Sequence, residues 1–414
     1  MGRTRTVVVG AGAIGLACAW ALARRGRHVT VLDAGAPGAG CTLGNAGWVV
    51  PALAAPIPAP GLVRKSLRWM LSRDSPLYIA PTAVPSLARW LWRFWGHCNA
   101  ADHQAGLHAV AALNRGTLAA FDALAGEGVD VELHRDGLLY VFLDPRYMDA
   151  SREEVRALEP YGYALPEPLD GAALRALEPG LSDEVTSGFL LPGEAHVRPE
   201  TLAAGYATAL QRLGGEVRAG VTVRGGREHG ASVVLDTSAG PVEADEVLVA
   251  AGARSGEVLD GFGVRLPVQA GKGYSVTIPG AESVLRRPIL MGESKVAVTP
   301  FDGALRVAGT MELSGVNERF DARRMAAIRR GVARYVRAPL PAGGTEWVGM
   351  RPLTPDGLPL LGRVPRLARV WVATGHAMLG ITMAPVTGQA MAALMTGGTP
   401  PAPLEPFAPG RFRW

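Results

Sequence analysis

The chain has 414 residues, 48% hydrophobic and 19% charged, with a formal charge of +5. That balance excludes a disordered or fibrous chain and leaves room for one large domain or two ordinary ones, each with its own core. Only three basic residues are lysines (Lys65, Lys272, Lys295); the other 39 are arginines scattered along the chain, which argues against a nucleic-acid-binding patch.

Val7-Val8-Val9 form an apolar run that meets Gly10-x-Gly12-x-x-Gly15. An alanine-rich helical stretch, Leu16 to Arg25, follows; Gly26 stops it, and a second apolar run, Val29 to Leu32, ends at Asp33. This is the strand, glycine turn, helix, strand and acid order of a dinucleotide-binding βαβ unit. Gly10 permits the turn, Gly12 lets backbone approach a pyrophosphate, and Gly15 lets the helix pack on the strand. The helix N-terminus offers N–H groups and a positive dipole end to phosphates. Asp33, 18 residues past Gly15, is placed to bond ribose hydroxyls, and its charge disfavours NADP; NAD and FAD both stay open.

Small residues follow at Cys41-Thr42-Leu43-Gly44-Asn45-Ala46-Gly47, which suit close backbone approach to a flat or charged group. Pro51 to Pro60 reads as irregular and Leu62 to Leu71 as helical. Pro85 to Cys98 has helical spacing with an aromatic face, Trp90 to Trp95; packing is the first reading, a peripheral membrane anchor beside Arg89 and Arg93 the second. One long helix is expected from Asp102 to Leu124, a strand at Gly137 to Leu143, and helical pieces at Ser151–Leu158 and Gly171–Leu177. A strand at Phe189 to Leu191 precedes a helix from Pro199 to Leu213, with proline at its start. Val217, Val221 and Val223 read as short strands, as do Val233 to Leu235 and Glu246 to Val249; the last runs into the small turn Ala250 to Ala253.

Lys272 to Ile278, Val296 to Pro300 and Leu305 to Ala308 read as antiparallel strands, Asp321 to Val336 as a helix, Val370 to Ala373 as a strand and Gly380 to Met395 as a helix. Turn motifs lie at both ends of the chain and amphipathic strands in its middle. The expected fold is therefore α/β with an α+β insert. A discontinuous Rossmann-like cofactor domain (1–80, 187–265 and 345–414) accompanies a substrate domain (81–186 and 266–344) with a mixed or antiparallel sheet. Cys18, Cys41 and Cys98 are too few and too scattered for a disulfide framework, and no metal site is expected. No signal pattern and no run of 18 apolar residues occurs, so a cytoplasmic location is expected.

The stretches V-V-V-G-A-G-A-I-G, G-N-A-G-W, G-K-G-Y-S-V-T, G-M-R-P-L-T-P-D-G and T-G-H-A-M-L-G-I-T-M-A-P together resemble the D-amino-acid oxidase-like FAD-dependent oxidoreductases. Within them the chain is most similar to the D-amino-acid and D-hydroxyproline dehydrogenases. The resemblance covers residues 7 to 385 and implies non-covalent FAD. It implies that Gly10, Gly12, Ala13, Ile14 and Gly15 cradle the pyrophosphate and that Asp33 and Ala34 hold the ribose. Thr42, Gly44, Asn45, Ala46 and Gly47 would line the isoalloxazine. Val221 would meet the adenine side, and Ala251 and Gly252 would flank the dinucleotide. Gly375, Leu379, Gly380, Ile381 and Thr382 would set a helix N-terminus at the flavin pyrimidine, where negative charge develops on reduction.

Arg351, beside Gly349 in the G-x-R-P motif, would hold the substrate carboxylate, which an arginine fork matches bidentately. The competing reading is a salt bridge with Asp356. Tyr274 and His376 are further candidates for substrate or flavin contact. The implied reaction is hydride transfer from Cα of a D-amino acid, of D-proline type among others, to flavin N5. Glycine- or sarcosine-type oxidation is the alternative. The electron acceptor would be a quinone, an electron-transfer protein or dioxygen. An NAD-dependent dehydrogenase built on the same βαβ unit is the competing class.

Overall fold

A computed structural model describes residues 3–62, 75 and 77–412. Most of the helix expected at Leu62–Leu71 lies outside the described residues.

The apolar runs of the glycine motif form the centre of a six-stranded sheet. In spatial order its strands are Glu216–Arg218, His28–Leu32, Arg5–Val9, Glu246–Val249, Val370–Thr374 and Leu360–Arg363. All neighbours are parallel except the last pair. Side chains alternate along these strands and serve two cores, as a sheet covered on both faces requires. Val8, Val29, Val31, Leu248 and Ala373 join the core beneath the helices Ala13–Arg24, Pro199–Arg212 and Gly380–Met395. Val7, Val9, Leu32, Val247, Val249 and Val372 join the core under a three-stranded antiparallel sheet of residues 223–244.

The second sheet is mixed and has nine strands. Its path runs Thr345–Leu353, Gln269–Pro279, Ala304–Leu313, Val296–Phe301, Ile289–Met291, Leu138–Phe142, Ser187–Leu191 and Leu169–Asp170, with Leu77–Ile79 paired to Ala304–Leu313. Helix Ala322–Ala333, capped by the Asp321 side chain, packs Met325, Ile328 and Val332 onto it. Two segments grouped with the cofactor half on sequence grounds, 187–191 and 345–353, are strands of this second sheet. The strand Thr345–Leu353 lies at its edge and carries the G-x-R-P motif to the first sheet.

The long helix expected at Asp102–Leu124 is two helices, Ala100–Asn114 and Thr117–Gly126. Gly116 caps the second helix, and the buried Thr117 hydroxyl at its start donates to Asn114 Oδ1. Val221 is not in a strand. It sits in the turn between Glu216–Arg218 and Val223–His229, its N–H donating to the Asp33 carbonyl at 2.8 Å. The aromatic helix, Val84–Gly96, divides its face: Leu87, Trp90 and Leu91 are buried, whereas Trp92 is 73% and Trp95 42% exposed. Trp90 Nε1 donates to the Pro267 carbonyl at 2.9 Å.

A third small sheet, Trp48–Val49, Ala195–Val197 and Leu133–His134, bridges the two large ones. Beside it Glu194 is buried, with Oε1 accepting from Ala52 N at 3.3 Å and Oε2 unpartnered. Burial pushes its carboxyl up to about 8 from 4.5. A raised folded-state pKa contributes stability that is full below the unfolded value and is lost as pH rises through the folded one. Glu194→Gln is therefore expected to match the wild-type melting temperature near pH 4.5 and exceed it by several degrees at pH 8.5. At about 1.4 kcal/mol per pKa unit the effect is on the order of a few kcal/mol. Thermal melts across that range check it, and equal pH slopes for the two proteins would refute it.

Candidate active site

One cavity of about 1360 Å³ runs from the glycine turn to the start of the last helix. It exceeds the roughly 300–1,000 Å³ of an ordinary small-ligand pocket, as an extended dinucleotide requires. At one end Gly10 takes φ 110, a conformation suited to glycine, and a Cβ there would strike the Ala250 carbonyl. Gly12 faces the cavity with only Thr42 Oγ1, 3.5 Å from where a Cβ would stand. Gly15 does not line the cavity. A side chain there would overlap the Gly10 carbonyl, so this glycine seats the helix on the turn.

Asp33 binds backbone with both oxygens: Oδ2 accepts from Ala11 N at 2.6 Å and Oδ1 from Gly35 N at 2.7 Å. The carboxylate thus ties the glycine turn to the following loop while lining the cavity beside Ala34 and Val221. Thr42 Oγ1 accepts from Ala13 N at 3.0 Å, which fixes the 41–47 loop to the helix start. Ile14, Asn45, Ala251 and Gly252 also reach the wall; Gly252 takes φ 56, and its carbonyl accepts from Thr374 Oγ1 at 2.9 Å.

At the other end, Gly380 and Ile381 begin the last helix and line the cavity. Leu379, Thr382 and Gly375 stand behind the wall as scaffold. Leu379 caps the helix and packs on the core. Thr382 Oγ1 donates to the Trp48 carbonyl at 2.9 Å and accepts from Val50 N at 3.1 Å, and Gly375 backs onto Thr354. Gly47 likewise faces away, against the Val197 carbonyl and Phe301. Neither Gly44 nor Ala46 is on the wall. The Trp347 indole lies across both Gly44 and Gly349, so a side chain at either glycine would collide with it. Trp347, Gly349 and Cys41 do line the cavity.

Arg351 follows Trp347 and Gly349 at intervals of two, hence on the same face of the edge strand. Its strand neighbours Gly349, Met350 and Pro352 line the cavity, whereas Arg351 itself is not on the wall and lies half-buried beside it. Nη1 donates to the Thr310 carbonyl at 2.7 Å. Desolvation lowers the guanidinium's pKa, and Cys41 acts against it. The salt bridge with Asp356 is not formed, because Asp356 is taken by Arg411, at 2.6 Å from Nε and 3.0 Å from Nη2. Among the described residues Arg351 faces no carboxylate.

Tyr274 is off the cavity. It pairs with Val348, on the opposite face of the sheet from Arg351, and is buried with its hydroxyl donating to Glu312 Oε2 at 2.8 Å. Burial, then this bond, push its phenol pKa up. Burial alone would raise Glu312, but hydrogen bonds from Lys272, Ser314 and Tyr274 bring it below the usual range. Lys272 Nζ lies 2.8 Å from Glu312 Oε1, both side chains almost fully buried. His376 lines the cavity but is buried, its Nε2 3.1 Å from Thr387 Oγ1, and burial drops its pKa to about 3. It is therefore a neutral ring at working pH. Sequence reading missed Trp347 and the Lys272–Glu312 pair. A tryptophan alternating with Gly349 and Arg351 on one strand was the available signal for the first.

Glycine turn, second-strand acid and C-terminal helix start around one long cavity define a dinucleotide-dependent oxidoreductase. A family model for FAD dependent oxidoreductases (DAO) matches residues 5–394. The chain is 36% identical to a D-amino acid dehydrogenase of Methylobacterium sp. (strain 4-46) and 33% identical to one of Xanthobacter autotrophicus, in each case over 99% of both chains. Glycine oxidase from Geobacillus kaustophilus shares its fold with a TM-score of 0.78 at 24% identity, covering 99% of this chain and 100% of that one. L-proline dehydrogenase from P. horikoshii gives a TM-score of 0.76 at 17% identity, covering 99% and 98%. The protein belongs to the FAD-dependent oxidoreductase (DAO) family, and FAD is its cofactor. The bare face of Gly12, the Asp33 carboxylate and the length of the cavity fit that group.

Proposed function

We propose that this enzyme oxidises D-amino acids, of D-proline type among others, with Arg351 holding the substrate carboxylate. The observation that carries the reading is a guanidinium beside the cofactor cavity, held by a backbone carbonyl and facing no carboxylate among the described residues. In such a half-buried setting a bidentate carboxylate bond is strong and orienting. Bound FAD supplies the hydride acceptor. The chain's own part is positional. Arg351 fixes the carboxylate, and the Trp347 indole, seated over Gly349, walls the same face of the sheet. Glu312 is committed to Lys272 and Tyr274, and His376 stays neutral, so neither serves as a charged partner for the amine. We assign the six-stranded sheet and its helices to the cofactor and the nine-stranded sheet to the substrate, and we take FAD to be held without a covalent link.

The names of the curated relatives favour D-amino acids; glycine or another small amine is the second reading, favoured by the glycine oxidase fold match. Anaerobic flavin bleaching with D-alanine, D-proline, hydroxy-D-proline, their L-isomers, glycine and sarcosine tests both. Bleaching by glycine or sarcosine without any D-isomer would overturn the first.

We further propose that the enzyme sits on the cytoplasmic face of a membrane and passes electrons to a quinone. From residue 62 to 95 the sequence carries Arg64, Lys65, Arg68, Arg73, Arg89 and Arg93 against Asp74 alone, and Trp92 and Trp95 point outward. That is the composition of an anionic-surface anchor. No helix among the described residues is long and apolar enough to cross a membrane. Co-sedimentation with phosphatidylglycerol vesicles, lost in Trp92→Glu/Trp95→Glu, is expected; equal sedimentation of both proteins would refute the contact.

A further inference from the structure

Arg351 rests on bare backbone. Gly273 stands directly across from Gly349 in the strand pair, and Gly271 across from Arg351 itself. A Cβ built on Gly273 would collide with Cζ and both Nη atoms of Arg351. Three atoms of one plane at nearly equal reach mean that the fork lies flat over Gly273. Its inner edge is held as well, since Nη1 donates to the Thr310 carbonyl.

That carbonyl is available because the adjoining strand is bulged. Lys272 pairs with Glu312 but Tyr274 pairs with Gly309, so Thr310 and Met311 together oppose Gly273. Thr310 takes φ 60, the left-handed region that non-glycine residues avoid, and leaves the ladder. Bulges of this kind redirect a group out of the sheet. The C-terminal side of the bulge is pinned. Glu312 binds Lys272 and Tyr274 at 2.8 Å each, and Arg324 Nη2 donates to the Met311 carbonyl at 3.1 Å.

We infer that Gly273 and the Thr310 bulge are positioning elements that hold the Arg351 fork flat in a single orientation, its outer edge presented to a carboxylate. The inference rests on the carboxylate-binding role proposed for Arg351. A planar fork loses little freedom when it bonds, but only if its plane is already set. Gly273 supplies the plane and Thr310 supplies the rotation about it. Any side chain at 273 would lift the guanidinium away from the bulge carbonyl.

Gly273→Ala tests this in the FAD-loaded enzyme. Gly273 has no positive φ, and the atoms nearest the new methyl are the end of a long side chain, so the strand tolerates the change. Flavin content and melting temperature are expected to match wild type. KM for D-alanine and the competitive Ki of acetate, a carboxylate without an amine, are expected to rise together by about tenfold or more. The fall in kcat should be smaller. In an Arg351→Ala background, adding Gly273→Ala should leave the acetate Ki unchanged. Wild-type KM and Ki in Gly273→Ala would overturn the inference, as would a further loss in the double variant. So would failure to obtain folded holoenzyme, because the strand rather than the fork would then have given way. If Arg351→Ala alone leaves the acetate Ki at its wild-type value, it is the carboxylate role of Arg351 that fails.

Discussion

Arg351→Ala is expected to lower kcat/KM for D-alanine by about a thousandfold while leaving FAD bound. The size follows from what is removed, two charge-assisted hydrogen bonds to a carboxylate in a half-buried pocket. Each is worth roughly 1.5–3 kcal/mol, and the stranded carboxylate adds its own desolvation penalty. FAD is expected to stay because Arg351 contributes nothing to the glycine turn, the Asp33 loop or the start of the last helix. Among the described residues its one direct hydrogen bond to oxygen goes to Thr310. Arg351→Lys should recover only part of the loss, since an ammonium lacks the fork. Steady-state kinetics and the flavin-to-protein absorbance ratio check both halves. Loss of yellow colour would show that the arginine supports the fold instead.

The second large effect separates two glycines only three residues apart. Gly12→Ala is expected to give a folded protein that has lost most of its FAD affinity, because among the described residues, chain neighbours aside, the new methyl meets Thr42 Oγ1 alone, at 3.5 Å, while the methyl itself enters the glycine-turn end of the cavity. Gly15→Val is expected to abolish the folded protein. A side chain there overlaps the Gly10 carbonyl, so helix Ala13–Arg24 would have to lift from its strand. It has nowhere to go. On its other side Gly388 of the last helix approaches so closely that a Cβ would stand 2.7 Å from the Ala17 carbonyl. Soluble yield, circular dichroism and FAD titration distinguish the outcomes. A folded Gly15→Val protein that binds FAD would contradict the packing argument.

These cases show what was legible in the sequence. The glycine turn is local: backbone conformation, close approach and helix start all fall within six residues, so their chemistry is written side by side. Strand alternation was equally readable, and helices Gly171–Leu177 and Gly380–Met395 begin and end where their glycines and apolar runs imply. Tyr274 was misread for a different reason. In G-K-G-Y-S one step along the strand reverses the face, and two glycines erase the apolar-polar pattern that would reveal which face is which. The register with Gly349 and Arg351 decides it, and that register is long-range. The Asp356 alternative failed likewise: its partner, Arg411, lies 55 residues on. The Thr310 bulge has no sequence signature, since threonine is an ordinary strand residue and its left-handed backbone is imposed by neighbours.

The order of strands in the six-stranded sheet has a consequence for synthesis. Its central strand, Arg5–Val9, pairs with Glu246–Val249, which pairs in turn with Val370–Thr374. The first helix packs against the last. A chain emerging from the ribosome therefore carries its glycine turn for more than 200 residues before the second neighbour of that strand exists. It cannot close the far end of the cavity until Gly380 has been made. The cofactor cavity is therefore complete only at the end of translation, and the apolar edge Val7–Val9 lacks its second strand partner for most of it.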